Sequence, residues 1–252
     1  MRTSNVVFNK IQEFDNNQES ASMAGVGIKS GILLLVCLIS ACASIIFFKS
    51  VSIGMFLFYI LAIIGTFVFQ IIITFNARAA KSLSIPYVIC EGIAIGVICD
   101  LLEYALPGEG FALATGALLI TLGIVFASCI LYSHAGLRAK PAFVKVFCII
   151  VLGISIASVF FAITALILGL TTGISLWGMY LNSSLSVLIS LIMVIISAIY
   201  VFLTVQRANE LVERGMNKEY EWYASFGIAI SVIWLFLEVL KLLIRIAAKR
   251  RD

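Results

Sequence analysis

The sequence has few charged residues, and this scarcity excludes the usual soluble globular protein. Only 12% of its 252 residues are Asp, Glu, Lys or Arg, whereas 62% are hydrophobic. A soluble domain has about 25% charged residues and is about half apolar. The net charge of +4 is small for a protein that binds nucleic acid. The composition therefore predicts an integral membrane protein whose main partner is the lipid bilayer, with no nucleic-acid partner.

Proline is also rare, which favours membrane helices over membrane strands. The chain has 3 Pro, against 18 Gly and 18 Phe. Glycine lets membrane helices pack closely, and a membrane strand would alternate apolar and polar residues with a period of two. We therefore expect an all-α integral membrane protein.

Residues for catalysis or metal binding are scarce. His134 is the only histidine, and the six cysteines lie inside apolar runs without CxxC spacing. An intramembrane serine protease needs a partner histidine, and a paired-aspartate enzyme needs a second aspartate besides Asp100, the only one within an apolar run. The chain also lacks a Gly-rich phosphate loop. We expect no enzyme, no cofactor and no resident metal.

Seven apolar runs are long enough to cross a bilayer, which takes about 20 helical residues. We predict a seven-helix domain over residues 28–247, preceded by a polar arm at 1–27 and followed by a basic tail at 248–252. A charged loop is expected at 206–221. The predicted spans are 28–48, 53–76, 86–106, 111–132, 143–170, 185–205 and 221–245.

Basic residues predict the orientation of the chain, because they concentrate in cytoplasmic loops. Among the connections predicted on one side of the membrane, Lys49 is the only basic residue before the C-terminal tail. The other side holds Arg2, Lys10, Lys29, Arg78, Lys81, Arg138, Lys140, Lys145, Arg207, Arg214 and Lys218. The N-terminus should therefore be cytoplasmic. Seven spans would leave the basic tail outside, unless the last segment dips into the membrane and returns, or is enclosed by the others.

The last apolar run carries a carboxylate, Glu238, well inside it. The run opens with Glu221, Trp222 and Tyr223, and the two aromatics are typical of a membrane–water interface. An acid in hydrocarbon costs about 2.5–3.5 kcal/mol even on the lenient insertion scale. Glu238 is therefore either functional or neutralised by Lys241, three residues further along the same helix face.

The third span carries the other intramembrane acids. Glu91 and Asp100 flank Gly92 and Gly96, a GxxxG pair that allows close approach of a neighbouring helix. At a rise of 1.5 Å per residue, Asp100 lies about 21 Å from Pro86. Glu238 lies about 24 Å along its own helix from Trp222. We therefore predict that Asp100 and Glu238 share a level in the membrane, and that Glu91 lies nearer the inner face.

Several of these residues together resemble a known family. The runs 221–227 (EWYASFG) and 234–238 (WLFLE) resemble the end of the bacterial Bax inhibitor-like (YccA-like) membrane proteins, which carry the transmembrane Bax inhibitor motif. Residues 91–96, the opening residues 4–9 and the loop 136–143 are also similar to members of this family. The resemblance covers nearly the whole chain.

The resemblance implies a seven-helix bundle with a central last helix, and a pH-sensitive calcium leak in a bacterial inner membrane. In the family, a carboxylate matched by Glu238 pairs with another near the end of the sixth helix. That second position falls within 204–206, where the chain has no acid. Glu238 would then sense protons alone or with another group: Asp100, Glu91 or Arg207. Other members modulate membrane proteases or stress pathways, so the alternative is a non-conducting regulator that binds such partners.

Overall fold

In the computed structural model, the described residues are 20–47, 53–135, 138–172 and 185–249. They form seven helices that are long and apolar enough to cross a membrane, and no strand beyond an isolated bridge between Ser20 and Asn217. The predicted all-α membrane protein is thus confirmed. The helices are α1 (Met23–Phe47), α2 (Ile53–Phe75), α3 (Ala80–Ala105), α4 (Gly110–Ala135), α5 (Pro141–Thr172), α6 (Leu185–Glu213) and α7 (Tyr220–Lys249).

Most helices extend beyond their apolar runs. Helix α1 begins at Met23, inside the stretch assigned to the polar arm, and the remaining arm at 1–19 lies outside the described residues. Helix α3 begins six residues before Pro86, and α4 continues through His134, past the predicted end of its span at residue 132. Hydropathy marks where apolar side chains end, whereas a helix continues into water as long as its backbone is bonded.

The charged loop predicted at 206–221 is mostly helix. Helix α6 continues to Glu213 and ends in a Schellman motif. In this motif Gly215 donates its N–H to the Val212 carbonyl at 2.9 Å, and Met216 donates to the Leu211 carbonyl at 3.4 Å. Gly215 has φ +65°, a left-handed conformation that costs glycine no steric penalty. Only the residues between Glu213 and Tyr220 connect α6 to α7.

The last segment is one unbroken helix of 30 residues. At 1.5 Å per residue it is about 45 Å long, whereas the hydrocarbon core of a bilayer is about 30 Å thick. The alternative that this segment dips into the membrane and returns is therefore wrong.

Burial distinguishes two of the seven helices. In α3 and α7, 50% of the most apolar stretch is buried by protein, against 6–28% in the other spans. An exposed apolar side chain on a membrane helix faces lipid, whereas a buried one faces other helices. Protein therefore covers α3 and α7 more fully than the other five spans.

The described residues belong to two compact units. The first comprises the described residues within Met1–Gly110 and Arg207–Ile230, and the second those within Phe111–Gln206 and Ser231–Asp252. In the first unit α3 contacts both α1 and α2. The start of α7 lies in the first unit, and the part that carries Glu238 lies in the second.

Candidate functional site

Glu238 is a buried carboxylate in the second unit, with 5% of its surface exposed. Lys241 donates from Nζ to Glu238 Oε1 at 2.9 Å, and Trp234 donates from Nε1 to the same oxygen at 3.2 Å. Both donors lie one helical turn from Glu238 on α7, so the local helix geometry builds the site. The ion pair with Lys241, which the sequence left open as one of two readings, is present, and the carboxylate is shielded from lipid.

Helix α6 fixes the orientation of the tryptophan that bonds Glu238. The rings of Tyr200 and Trp234 pack edge to face, with centroids 5.4 Å apart at 75°. Such aromatic pairs add about 0.5–1.5 kcal/mol beyond the area they bury. The indole N–H is thereby held toward the carboxylate. Lys241, in contrast, has a side chain that is 53% exposed.

Arg245 lies seven residues after Glu238 on α7 and bonds the beginning of α6. Its guanidinium donates to the backbone carbonyl of Ser186 at 2.7 Å and also to the hydroxyl of Ser190. Both serines lie in the first turns of α6 and are buried. Arg245 therefore connects the end of α7 to the beginning of α6, and Lys241 is the basic partner of Glu238.

Gln206 lies where the family resemblance predicts a second carboxylate, and its amide is hydrogen-bonded to backbone. Ala139 donates its N–H to Gln206 Oε1 at 2.8 Å, and Gln206 Nε2 donates to the Ala139 carbonyl at 3.2 Å. Gln206 is buried, and Ala139 lies two residues before α5. A neutral amide can satisfy the backbone N–H and C=O together, whereas an ionised carboxylate has no donor for the carbonyl.

The third-span residues lie in the first unit, where α1 crosses α3. A Cβ added at Gly92 would collide with the Cys37 carbonyl and the Ser40 hydroxyl. One added at Gly96 would collide with the Ala41 carbonyl and the Ser44 hydroxyl. The missing side chains let the two backbones approach, as GxxxG pairs do in membranes.

Glu91 and Asp100 are half-buried on α3. They belong to the first unit and Glu238 to the second, so a common level for Asp100 and Glu238 remains a prediction. Within the described ranges, no group of three or more His, Cys, Asp or Glu side chains could hold a metal ion.

A second buried carboxylate, Glu221, was missed by sequence reasoning, which placed it at the membrane interface. It is 2% exposed. Ser22 donates to Glu221 Oε1 from its backbone N–H at 2.7 Å and from its hydroxyl at 3.2 Å. The Lys29 ammonium pairs with Glu221 Oε2 and lies 5.3 Å from the centroid of the Trp222 ring. The only feature of the sequence that could have indicated this buried carboxylate was a possible basic partner, Lys29, at the start of the first apolar run.

Ser22 caps α1, and Glu221 completes the cap from another helix. The Ser22 hydroxyl accepts the Gly25 N–H at 3.0 Å, which is the ordinary N-cap bond. In a capping box, an acid at the third helical position bonds the N-cap N–H in return. That position is Gly25 here, and Glu221 takes the role of the acid. A Cβ at Gly25 would collide with the Glu221 carboxylate.

Comparison with known protein families identifies the family of this chain. A profile described as Bax inhibitor 1 like matches residues 5–248, nearly the whole chain. No curated protein and no solved structure matches the chain.

Proposed function

Because the chain belongs to the Bax inhibitor 1 like family, we propose that it is a proton-sensitive leak pathway for cations. Calcium is the proposed permeant ion, and Glu238 the protonation sensor. The observation that carries the proposal is the buried carboxylate of Glu238 and its ion pair with Lys241 on a membrane-spanning helix. An ionisable group at that depth is a default candidate for function.

The pair offers a simple response to protons. Protonation removes the negative charge of Glu238, so the Lys241 ammonium loses its partner. The exposed Lys241 side chain can then extend toward the lipid headgroups. Trp234 can still donate its hydrogen bond to the neutral carboxyl group. A single proton therefore removes the ion pair with Lys241 and leaves the bond from Trp234 in place. A local charge change of this kind can shift a helix between two positions.

The half-buried acids of α3 supply the second part of the proposal. Calcium prefers oxygen ligands, above all carboxylates. Glu91 and Asp100 would line the path on α3, while Gly92 and Gly96 hold that helix against α1. The ion passes through as cargo, and no catalytic step is involved. We further propose a bacterial inner membrane, as the family resemblance implies, and a cytoplasmic N-terminus, because basic residues concentrate in cytoplasmic segments.

The test is calcium flux into liposomes containing the purified full chain, at about pH 6 and about pH 8, either side of neutrality. Wild-type flux should be several-fold higher at the lower pH. Glu238→Gln should remove the difference, because glutamine mimics the protonated acid at both values. Lys241→Gln should raise flux at the higher pH, because the ion pair is lost. Glu213→Gln, which neutralises an exposed acid on α6, should behave as wild type.

Two results would contradict the proposal in different ways. An equal pH response from wild type and Glu238→Gln would leave a leak pathway whose sensor is another group. No flux from wild type at either pH would favour the alternative, a non-conducting regulator of a membrane protease or stress-response complex. Its contact surfaces would be residues 1–27 and 206–221, and deletion of residues 1–19 should then abolish capture of that partner.

A further inference from the structure

We propose that Ser22, Gly25, Lys29 and Glu221 form a carboxylate clasp that holds the start of the last helix against the start of the first. The clasp is a positioning site, separate from Glu238. All four residues of the clasp lie in the first unit. Its effect on flux rests on the proposed function, since α7 also carries the proposed sensor.

Two helix beginnings meet at the Glu221 carboxylate. Helix α7 begins at Tyr220, so Glu221 lies in its first turn. Its carboxylate accepts the Ser22 N–H, immediately before α1 begins at Met23. The first N–H groups of a helix lack partners within it, and the helix dipole makes this end positive. An anion at this point therefore stabilises both helices at once.

The contact continues one turn further along both helices. The Ser225 hydroxyl shares its one proton between the Val26 carbonyl, at 2.9 Å, and the Glu221 carbonyl, at 2.7 Å. Val26 is fully buried and packs with Ala208 and Ala224. On the other side of the clasp, Ala21 donates its N–H to the Met216 carbonyl at 2.8 Å. The clasp thus lies between an apolar contact and a backbone bond, and fixes the register between the two helices.

The charge on Lys29 explains why a buried anion is tolerated there. The side chain of Lys29 is 17% exposed and its ammonium is paired with Glu221. The face of Trp222 adds a cation–π contact to the same ammonium. The Glu221 carboxylate accepts hydrogen bonds from the Lys29 ammonium and from the N–H and the hydroxyl of Ser22. These three bonds offset the cost of burying its charge. Removal of a single partner should therefore loosen the whole clasp.

Glu219, two residues before Glu221, provides a matched control for substitution of Glu221. Glu219 also pairs with a lysine, Lys81, but at 3.7 Å and with side chains 50% and 62% exposed, respectively. Exposed pairs of this kind contribute little to stability. Glu221→Gln in the full chain, reconstituted in lipid nanodiscs, should speed amide hydrogen exchange at residues 22–26 by at least about tenfold. Glu219→Gln should leave this exchange unchanged.

Gly25→Ala should open the clasp without changing any charge, and Gly27→Ala is its matched control. Alanine normally stabilises a helix relative to glycine. Gly27 has open space where a Cβ would lie, so Gly27→Ala should leave exchange unchanged or slow it. Gly25→Ala should instead reproduce the faster exchange of Glu221→Gln, because the new methyl group displaces the carboxylate. This variant also keeps the test decisive if Glu221→Gln fails to fold.

A double variant that exchanges the two charges distinguishes the clasp from a simple ion pair. Lys29→Glu combined with Glu221→Lys restores opposite charges. A plain ion pair would recover its protection from exchange. In the clasp, an ammonium at position 221 cannot accept the Ser22 N–H and meets two positive helix ends. The double variant should therefore exchange at least as fast as Glu221→Gln, and recovery of protection would overturn the clasp.

Flux in liposomes tests what the clasp does for the last helix. Glu221→Gln and Gly25→Ala should raise calcium flux at about pH 8 several-fold over wild type, while the two control variants should not. Faster exchange with unchanged flux would overturn the positioning role. Unchanged exchange in both variants would overturn the clasp itself. If wild type carries no flux, the proposed cation pathway fails, and the exchange measurements alone decide whether the clasp exists.

Discussion

Gly92→Ala should lower the free energy of unfolding by about 3 kcal/mol, the upper end of the usual cost of overpacking a core. The reason is the neighbour that the new methyl group meets. One of the two groups at this point is the Cys37 carbonyl, which is backbone and cannot rotate away. Helices α1 and α3 would have to separate, and the separation would also loosen the contact at Gly96 one turn further along. Reversible SDS unfolding in mixed micelles, followed by tryptophan fluorescence, measures the change.

Gly31→Ala is the matched control for this prediction. Gly31 lies on α1 in the same unit and is exposed. Apart from its chain neighbours and the nearby backbone of α1, no atom of the described residues lies within 4 Å of the place that its Cβ would occupy. The substitution should be neutral or stabilise the protein by up to about 1 kcal/mol, because alanine favours the helix. Equal effects of Gly92→Ala and Gly31→Ala would show that α1 and α3 do not depend on the close approach at Gly92.

Gln206→Met should lower the free energy of unfolding by about 2 kcal/mol at any pH. Methionine is similar in length but cannot bond the Ala139 backbone, so an N–H and a C=O lose their partners. Gln206→Glu should behave differently. A protonated glutamic acid can accept from the N–H and donate to the carbonyl as glutamine does, whereas an ionised one places an anion against the carbonyl oxygen.

Stability of the Gln206→Glu protein should therefore fall as the pH rises. Its folded state retains a proton that the unfolded state releases, and stability decreases with pH wherever the folded state binds more protons. At about pH 5 the SDS mole fraction at which half of this variant is unfolded should be close to the wild-type value. At about pH 8 it should be close to the value for Gln206→Met. Wild type provides the baseline at each pH. A Gln206→Glu protein whose stability relative to wild type is the same at both pH values would show that the amide does not hold the Ala139 backbone.

Composition and hydrophobic runs were enough to predict the membrane class, the helical fold and the seven spans found in the described part of the chain. The reason is physical: lipid cannot bond a backbone, so an apolar run of about 20 residues has to be a helix. The residues at which the helices begin and end were less predictable. Helix α6 continues eight residues past its predicted end at residue 205, because helical backbone bonding does not stop where charged side chains begin.

The pair of Glu238 with Lys241 could be weighed from the sequence because it is local, whereas the equally local bond from Trp234 was not predicted. Trp234, Glu238 and Lys241 lie within eight residues of one another, so the helix repeat alone brings their side chains together. The packing role of Gly92 and Gly96 followed from their spacing, although their partner helix did not.

Only the tertiary structure could identify the clasp and the Gln206 amide. Lys29 and Glu221 are separated by 192 residues, and Ala139 and Gln206 by 67. The sequence by itself determined which residues enter the membrane, because transfer to lipid depends on the chemistry of each side chain. The packing of distant helices decided which of the polar residues became buried partners, because burial depends on what lies opposite in space.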